Sequence, residues 1–143
     1  LGNARNLELK NSSVNVILTH PPYIASVPYA EYGQLSITWL GSSPRDLDKE
    51  LTGGRRQSKN VVNEFELGLK DMINESFRVL KKGGKFFMLL GNPIVKSKQV
   101  DIIQMSTKLS LEAGFKILTT TQRNGINRRA NKMGTESLLF FYK

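Results

Sequence analysis

Cysteine is absent from the 143-residue chain, and histidine occurs once. The first absence excludes a disulfide framework, a thiolate zinc site and an iron–sulfur cluster. A single histidine argues against a histidine-built metal site, so no metal is expected. No apolar run approaches the ~18 residues that cross a bilayer, and no basic-then-apolar leader opens the chain. No membrane partner is therefore expected, and the location expected is cytoplasmic. Repeats and low-complexity tracts are also missing. Negative charge is scarce: 12 Asp and Glu stand against 21 Lys and Arg, a net +9. That imbalance concerns partners rather than fold, and it points toward a polyanion such as nucleic acid.

The 39% apolar content is enough for a core, and the length fits one domain. Val14 to Thr19 is a short β-branched run closed by Pro21 and Pro22. Such a run suits a buried parallel strand. Pro28 is placed to open a helix over Tyr29 to Leu40, with Tyr32, Leu35 and Trp39 on one face. Trp39 with Leu35 reads as core, and Tyr29 and Tyr32 read equally as packed or as lining a target pocket. Between Arg45 and Asn63 the periodicity is lost in a polar, glycine-containing stretch, which predicts a flexible insert over 45–63. A strong helix is predicted from Glu64 to Lys81 and a stop at Gly83-Gly84, then a strand over Lys85 to Leu90. Ser97 to Ala113 reads as another helix, and Phe115 to Gln122 and Glu136 to Tyr142 as two closing strands. This alternation predicts an α/β sheet with parallel strands and helices on its faces. The last two strands, without a helix between them, are expected to pair as an antiparallel hairpin.

In open α/β sheets, ligands sit beyond the carboxyl ends of strands. The segment Thr19-His20-Pro21-Pro22-Tyr23 lies at such an end. Two successive prolines stiffen the backbone and remove two donors, leaving carbonyls as fixed acceptors beside a flat tyrosine ring. Taken alone, the segment reads first as a strand end sealed by prolines, with Tyr23 packed.

The stretch from Gly2 to Tyr23 resembles the DNA amino-methyltransferases, which use S-adenosylmethionine to methylate the N6 amine of adenine or the N4 amine of cytosine. Their strand followed by Asp/Asn/Ser-Pro-Pro-aromatic is matched by Val14 to Thr19 and His20-Pro21-Pro22-Tyr23. A preceding Gly-Asp-Ala segment is matched by Gly2-Asn3-Ala4, and the helix–turn–strand around Val79 to Gly84 also looks like the family's. The resemblance covers nearly the whole chain. It implies a partial Rossmann-like methyltransferase sheet of about four strands with the last antiparallel. It further implies S-adenosylmethionine as cofactor, DNA as partner, and a modification role of the restriction-modification kind.

Carried over residue by residue, His20 and the Pro21 carbonyl would accept the two amine hydrogens and help free the nitrogen lone pair. Pro22 completes the hook, and Tyr23 would stack on a base drawn out of the duplex. Asn3 would accept a hydrogen bond from the cofactor's adenine amino group, in the place of the family's aspartate, and Ala4 and His20 would also contact the cofactor. Two departures stand out. His20 replaces the usual first residue, and a neutral imidazole accepts through one nitrogen only. The glycine-rich cofactor turn of the Phe-x-Gly-x-Gly kind is absent from these 143 residues. The chain, opening on Leu1-Gly2, thus looks like the C-terminal half of a catalytic domain, a single incomplete domain over 1–143 and inactive alone. The apolar Val14–Thr19 strand is then expected to present an edge that a second copy or a companion chain covers.

Basic residues outside the motif are candidates for phosphate contact: Arg55, Arg56 and Lys59 in the insert, and Arg123, Arg128, Arg129 and Lys132 between the last strands. Glu31, the nearest carboxylate in sequence, is not assigned as a base. Two rival readings remain at this stage. One is a fragment of an RNA guanine-N2 methyltransferase, which carries a similar Pro-Pro-Tyr segment. The other is a degenerate, non-catalytic nucleic-acid-binding module.

Overall fold

The computed structural model describes residues 2–24, 29–52, 58–124 and 135–143. Four strands form the main sheet: β1 (Val14–Thr19), β2 (Leu80–Gly91), β5 (Lys116–Asn124) and β6 (Thr135–Tyr142), in the order β1-β2-β6-β5. Strands β1 and β2 are parallel, with Ile17 opposite Phe86. Strand β6 runs antiparallel to both neighbours, pairing Leu139 with Met88 and Leu138 with Thr121. The single reversed strand therefore lies inside the sheet, and the architecture is the partial Rossmann-like methyltransferase sheet expected.

The core follows from two periodicities. Strand β2 buries Phe86, Met88 and Leu90 at every second position. Helix α4 (Val61–Val79) buries Phe65, Leu69, Met72, Ile73 and Val79 at helical spacing. All of these but Val79 meet Ile102 and Leu109 of α5 (Ile102–Glu112), and Leu139 and Phe141 of β6, in one cluster. Phe115, just before β5, stacks on Phe86 at 5.0 Å and meets Phe77 edge-on. Each such side chain contributes about 1.5–3 kcal/mol when fully buried. The opposite sheet face is different. Val16 and Leu18 are exposed, and Phe87, Leu89, Leu138 and Phe140 are only half-buried.

Several expected boundaries move, each for a local reason. Helix α4 ends at Val79, before the glycine pair, because Leu80 turns extended to pair with Val14. Gly83 and Gly84 then belong to the irregular start of β2. Gly83 has φ 78° and donates its N–H to the Lys143 carbonyl. A Cβ on Gly84 would lie 2.8 Å from the Lys81 carbonyl oxygen.

The predicted helix from Ser97 starts only at Ile102. Ahead of it, β3 (Ile94–Val95) and β4 (Lys98–Gln99) form a hairpin with Lys96 and Ser97 both at positive φ, the backbone of a two-residue turn. Asp101 caps α5 by accepting from the Gln104 N–H.

Inside the stretch read as loop, Pro44–Glu50 form α3, with Ser43 accepting from the Asp46 N–H and proline in the first turn. The helix expected over Tyr29 to Leu40 divides at Gly33 into α1 (Tyr29–Tyr32) and α2 (Gln34–Trp39). Its apolar face is not core. Tyr32, Leu35 and Trp39 are exposed, Trp39 at 90%, because α1 and α2 pack on α3 rather than on the sheet.

Candidate active site

Strand β1 releases the chain at the sheet rim where β2 and β5 end and β6 begins. His20 is exposed there, Pro21 is buried, and Pro22 and Tyr23 are half-buried. The Tyr23 hydroxyl turns back 2.7 Å from His20 Nε2, and the two rings meet edge-on with centroids 5.0 Å apart. The same hydroxyl donates to Glu136 Oε1 at 2.9 Å. Glu136 comes from the first turn of pairing in β6, in register with Gly91 of β2 and Arg123 of β5. Sequence reasoning missed Glu136. Its signal was available: it is the only acidic side chain after Glu112, in a segment otherwise rich in Lys and Arg.

Hook residues line two hollows. One, of about 520 Å³, is walled by His20, Thr19 and Glu136 over an apolar floor of Leu18, Leu89 and Leu138. The other, of about 640 Å³, brings Gly2, Asn3, Ala4 and Pro22 together with Asp46 and Glu50 of α3. Both volumes lie in the range of small-molecule sites. Asn3 sits in a tight turn: its carbonyl accepts from the Asn6 N–H, and its Oδ1 accepts from the N–H and Nε of Arg5.

The N-terminal segment is held against α4 by two side chains. Glu75 accepts from the Leu7 N–H at 2.6 Å, and Arg78 donates to the carbonyls of Leu7 and Leu9. Glu75 and Arg78 also pair at 2.7 Å. The Arg78 guanidinium pulls the Glu75 carboxyl down to about 2, and the Leu7 N–H adds to the effect. This clamp is what places Asn3 and Ala4 beside Pro22.

Of the basic candidates, Lys59 is exposed just before α4, and Arg123 lies in β5 opposite Glu136. Arg55, Arg56, Arg128, Arg129 and Lys132 fall outside the described residues. Among the described residues no group of acidic or histidine side chains is arranged to hold a metal ion, and no helix is long and apolar enough to cross a membrane.

No protein-family model and no curated protein matches the chain. Solved structures do. A candidate DNA modification methylase from Thermus thermophilus, crystallised with S-adenosyl-L-methionine, superposes on the whole chain with a TM-score of 0.65 and 18% identity. Its selenomethionine derivative gives 0.61 at 17% identity over 99% of the chain. An S-adenosylmethionine-dependent methyltransferase from Methanosarcina mazei gives 0.56 at 14% identity, also over 99%. The chain spans 50–54% of the Thermus protein's length and 64% of the Methanosarcina protein's. The likeness is one of fold: this chain has the architecture of part of an S-adenosylmethionine-dependent methyltransferase.

Proposed function

We propose that this chain is the substrate-amine half of a DNA amino-methyltransferase, acting on N4 of cytosine or N6 of adenine. The observation that carries the reading is the hook itself: His20-Pro21-Pro22-Tyr23 stands at the carboxyl end of a parallel strand, with a hollow against His20 and another against Pro22. That is where an open α/β sheet places its ligands.

An exocyclic amine is a poor nucleophile because its lone pair is shared with the ring. His20 and the Pro21 carbonyl would accept its two hydrogens, drawing the nitrogen toward tetrahedral geometry, so that positioning and electrostatics supply most of the rate. Tyr23, its hydroxyl tied to Glu136, would present a ring of fixed orientation to a base drawn out of the stack. The Asn3, Ala4 and Pro22 hollow fits the adenine end of S-adenosylmethionine in size and in amide chemistry. When bound, that cofactor supplies a methyl group on a positively charged sulfur. The acceptor role expected of Asn3 toward the adenine amine gives way here: its Oδ1 is engaged by Arg5, so its amide N–H groups are the donors left to meet a ring nitrogen. Lys59, Arg123, Arg55, Arg56, Arg128, Arg129 and Lys132 would contact phosphates, so that affinity for DNA falls steeply as salt rises.

The glycine-rich turn would be supplied by a further polypeptide segment that pairs with the β1 edge and covers the Val16–Leu18 face. The test is kinetic, in the protein or complex that contributes that segment. His20→Ala is expected to cut methyl transfer to DNA on the order of 10²-fold, the usual worth of a transition-state hydrogen bond. DNA affinity should stay unchanged. Full activity in His20→Ala would overturn the assignment of the hook.

A further inference from the structure

We propose that Glu136, acting through Tyr23, fixes His20 as the tautomer that turns a bare Nδ1 toward the substrate amine. The inference rests on the amino-methyltransferase reading and deepens it: His20 touches substrate, and Glu136 is a positioning residue.

An ionised carboxylate can only accept, so the single proton of the Tyr23 hydroxyl belongs to its 2.9 Å contact with Glu136 Oε1. The 2.7 Å contact between Tyr23 Oη and His20 Nε2 must then be supplied from the ring. A neutral imidazole carries one N–H and one lone pair, so a proton on Nε2 leaves Nδ1 as the acceptor. Among the described residues nothing else bonds to the His20 ring. Without the relay, an exposed imidazole exchanges between tautomers, and the Nδ1–H form would turn a donor toward the amine hydrogens.

This accounts for a histidine at a position where related motifs carry an oxygen acceptor. An Asp, Asn or Ser oxygen needs no partner to accept, whereas a histidine needs its other nitrogen protonated. Strand β6 provides that condition from 113 residues away in sequence to Tyr23. The relay also balances the end of the reaction. The nitrogen lone pair forms the N–C bond as the methyl donor's carbon–sulfur bond breaks with its pair kept by sulfur. One N–H bond then breaks with its pair left on nitrogen, and the proton forms an Nδ1–H bond. The resulting imidazolium is separated from the Glu136 carboxylate by one hydroxyl group, which stabilises its charge.

Because His20 is the only histidine, the test needs no assignment among rings. In the full chain, long-range ¹H–¹⁵N correlation at a pH where the ring is neutral should show a protonated Nε2 and an unprotonated Nδ1. Exchange of the Nε2 proton with water should be slow. Tyr23→Phe and Glu136→Ala should make that exchange fast and mix the tautomers, while Glu136→Gln, which keeps an accepting oxygen, should retain the wild-type pattern. A proton on Nδ1, or an Nε2–H indifferent to Tyr23→Phe, overturns the inference.

The second arm is methyl transfer to DNA in the protein or complex that supplies the glycine-rich turn. Glu136→Ala should lower the rate on the order of tenfold with His20 present, as for loss of a hydrogen bond to a charged group. In a His20→Asp background it should cost nothing further. An equal loss in both backgrounds overturns the positioning role. Absence of any methyl transfer by wild type, with the tautomer pattern as expected, would instead count against the functional reading.

Discussion

Glu75 and Arg78 show how much a single pair of side chains arranges at a distance. Between them they fasten the segment around Leu7 and Leu9 to α4, and so hold the Asn3–Ala4 turn against the hook. The sign of the pH dependence follows from the direction of the shift. Glu75 ordinarily titrates near 4.5 and is pulled to about 2 in the folded chain. Its contribution to stability is therefore fully present above 4.5 and is lost as pH falls toward 2. Glu75→Gln is expected to cost about 1–2 kcal/mol near neutrality, the worth of hydrogen bonds to a charged group. Urea unfolding should show the cost shrinking as pH drops through that window. A penalty unchanged by pH would mean that the carboxylate charge is not what holds the segment.

Elements were legible in the sequence where one periodicity ruled. The three-and-four spacing of α4 carries a burial pattern that only a helix satisfies. The β-branched run of β1, by contrast, gave the strand correctly but not its expected burial: β1 is an edge strand with none of its residues buried. Elsewhere the signal was ambiguous for identifiable reasons. Lys96 and Ser97 adopt positive φ without the glycine or asparagine that usually marks such a turn, so the β3–β4 hairpin merged into the following helix. The spacing of Tyr32, Leu35 and Trp39 describes an apolar face correctly but says nothing of what covers it, and here no described element does. Trp39 is the sole tryptophan, which makes this directly measurable. Its emission should be water-like and red-shifted, and acrylamide should quench it almost as well as free indole. A blue-shifted, shielded emission would mean that α2 packs its apolar face after all.

At the scale of the molecule, the sheet is finished on one side only. Helices α4 and α5 seal one face, while Val16 and Leu18 stand exposed on the other, Leu18 at 76%, along an unpaired β1 edge among the described residues. Edges of this kind invite pairing. The isolated chain is expected to associate as concentration rises, and Val16→Lys with Leu18→Lys should return it to monomer in small-angle scattering. A monomer at every concentration would contradict an incomplete sheet. The hook was legible because two prolines after a β-branched run are a local pattern. Glu136 was marked in the sequence only by its charge. Its place beside Tyr23 was not legible, since that depends on β6 inserting between β2 and β5, a long-range pairing that strand alternation leaves open.

The most direct test of the account is the identity of the methylated product. Unmodified duplex DNA would be incubated with labelled S-adenosylmethionine and the protein or complex containing this chain, then digested to nucleosides for mass spectrometry. The account predicts label in N4-methylcytosine or N6-methyladenine, lost in His20→Ala. Label on cytosine C5, or label appearing only as N2-methylguanine when RNA is offered in a parallel incubation, would contradict it.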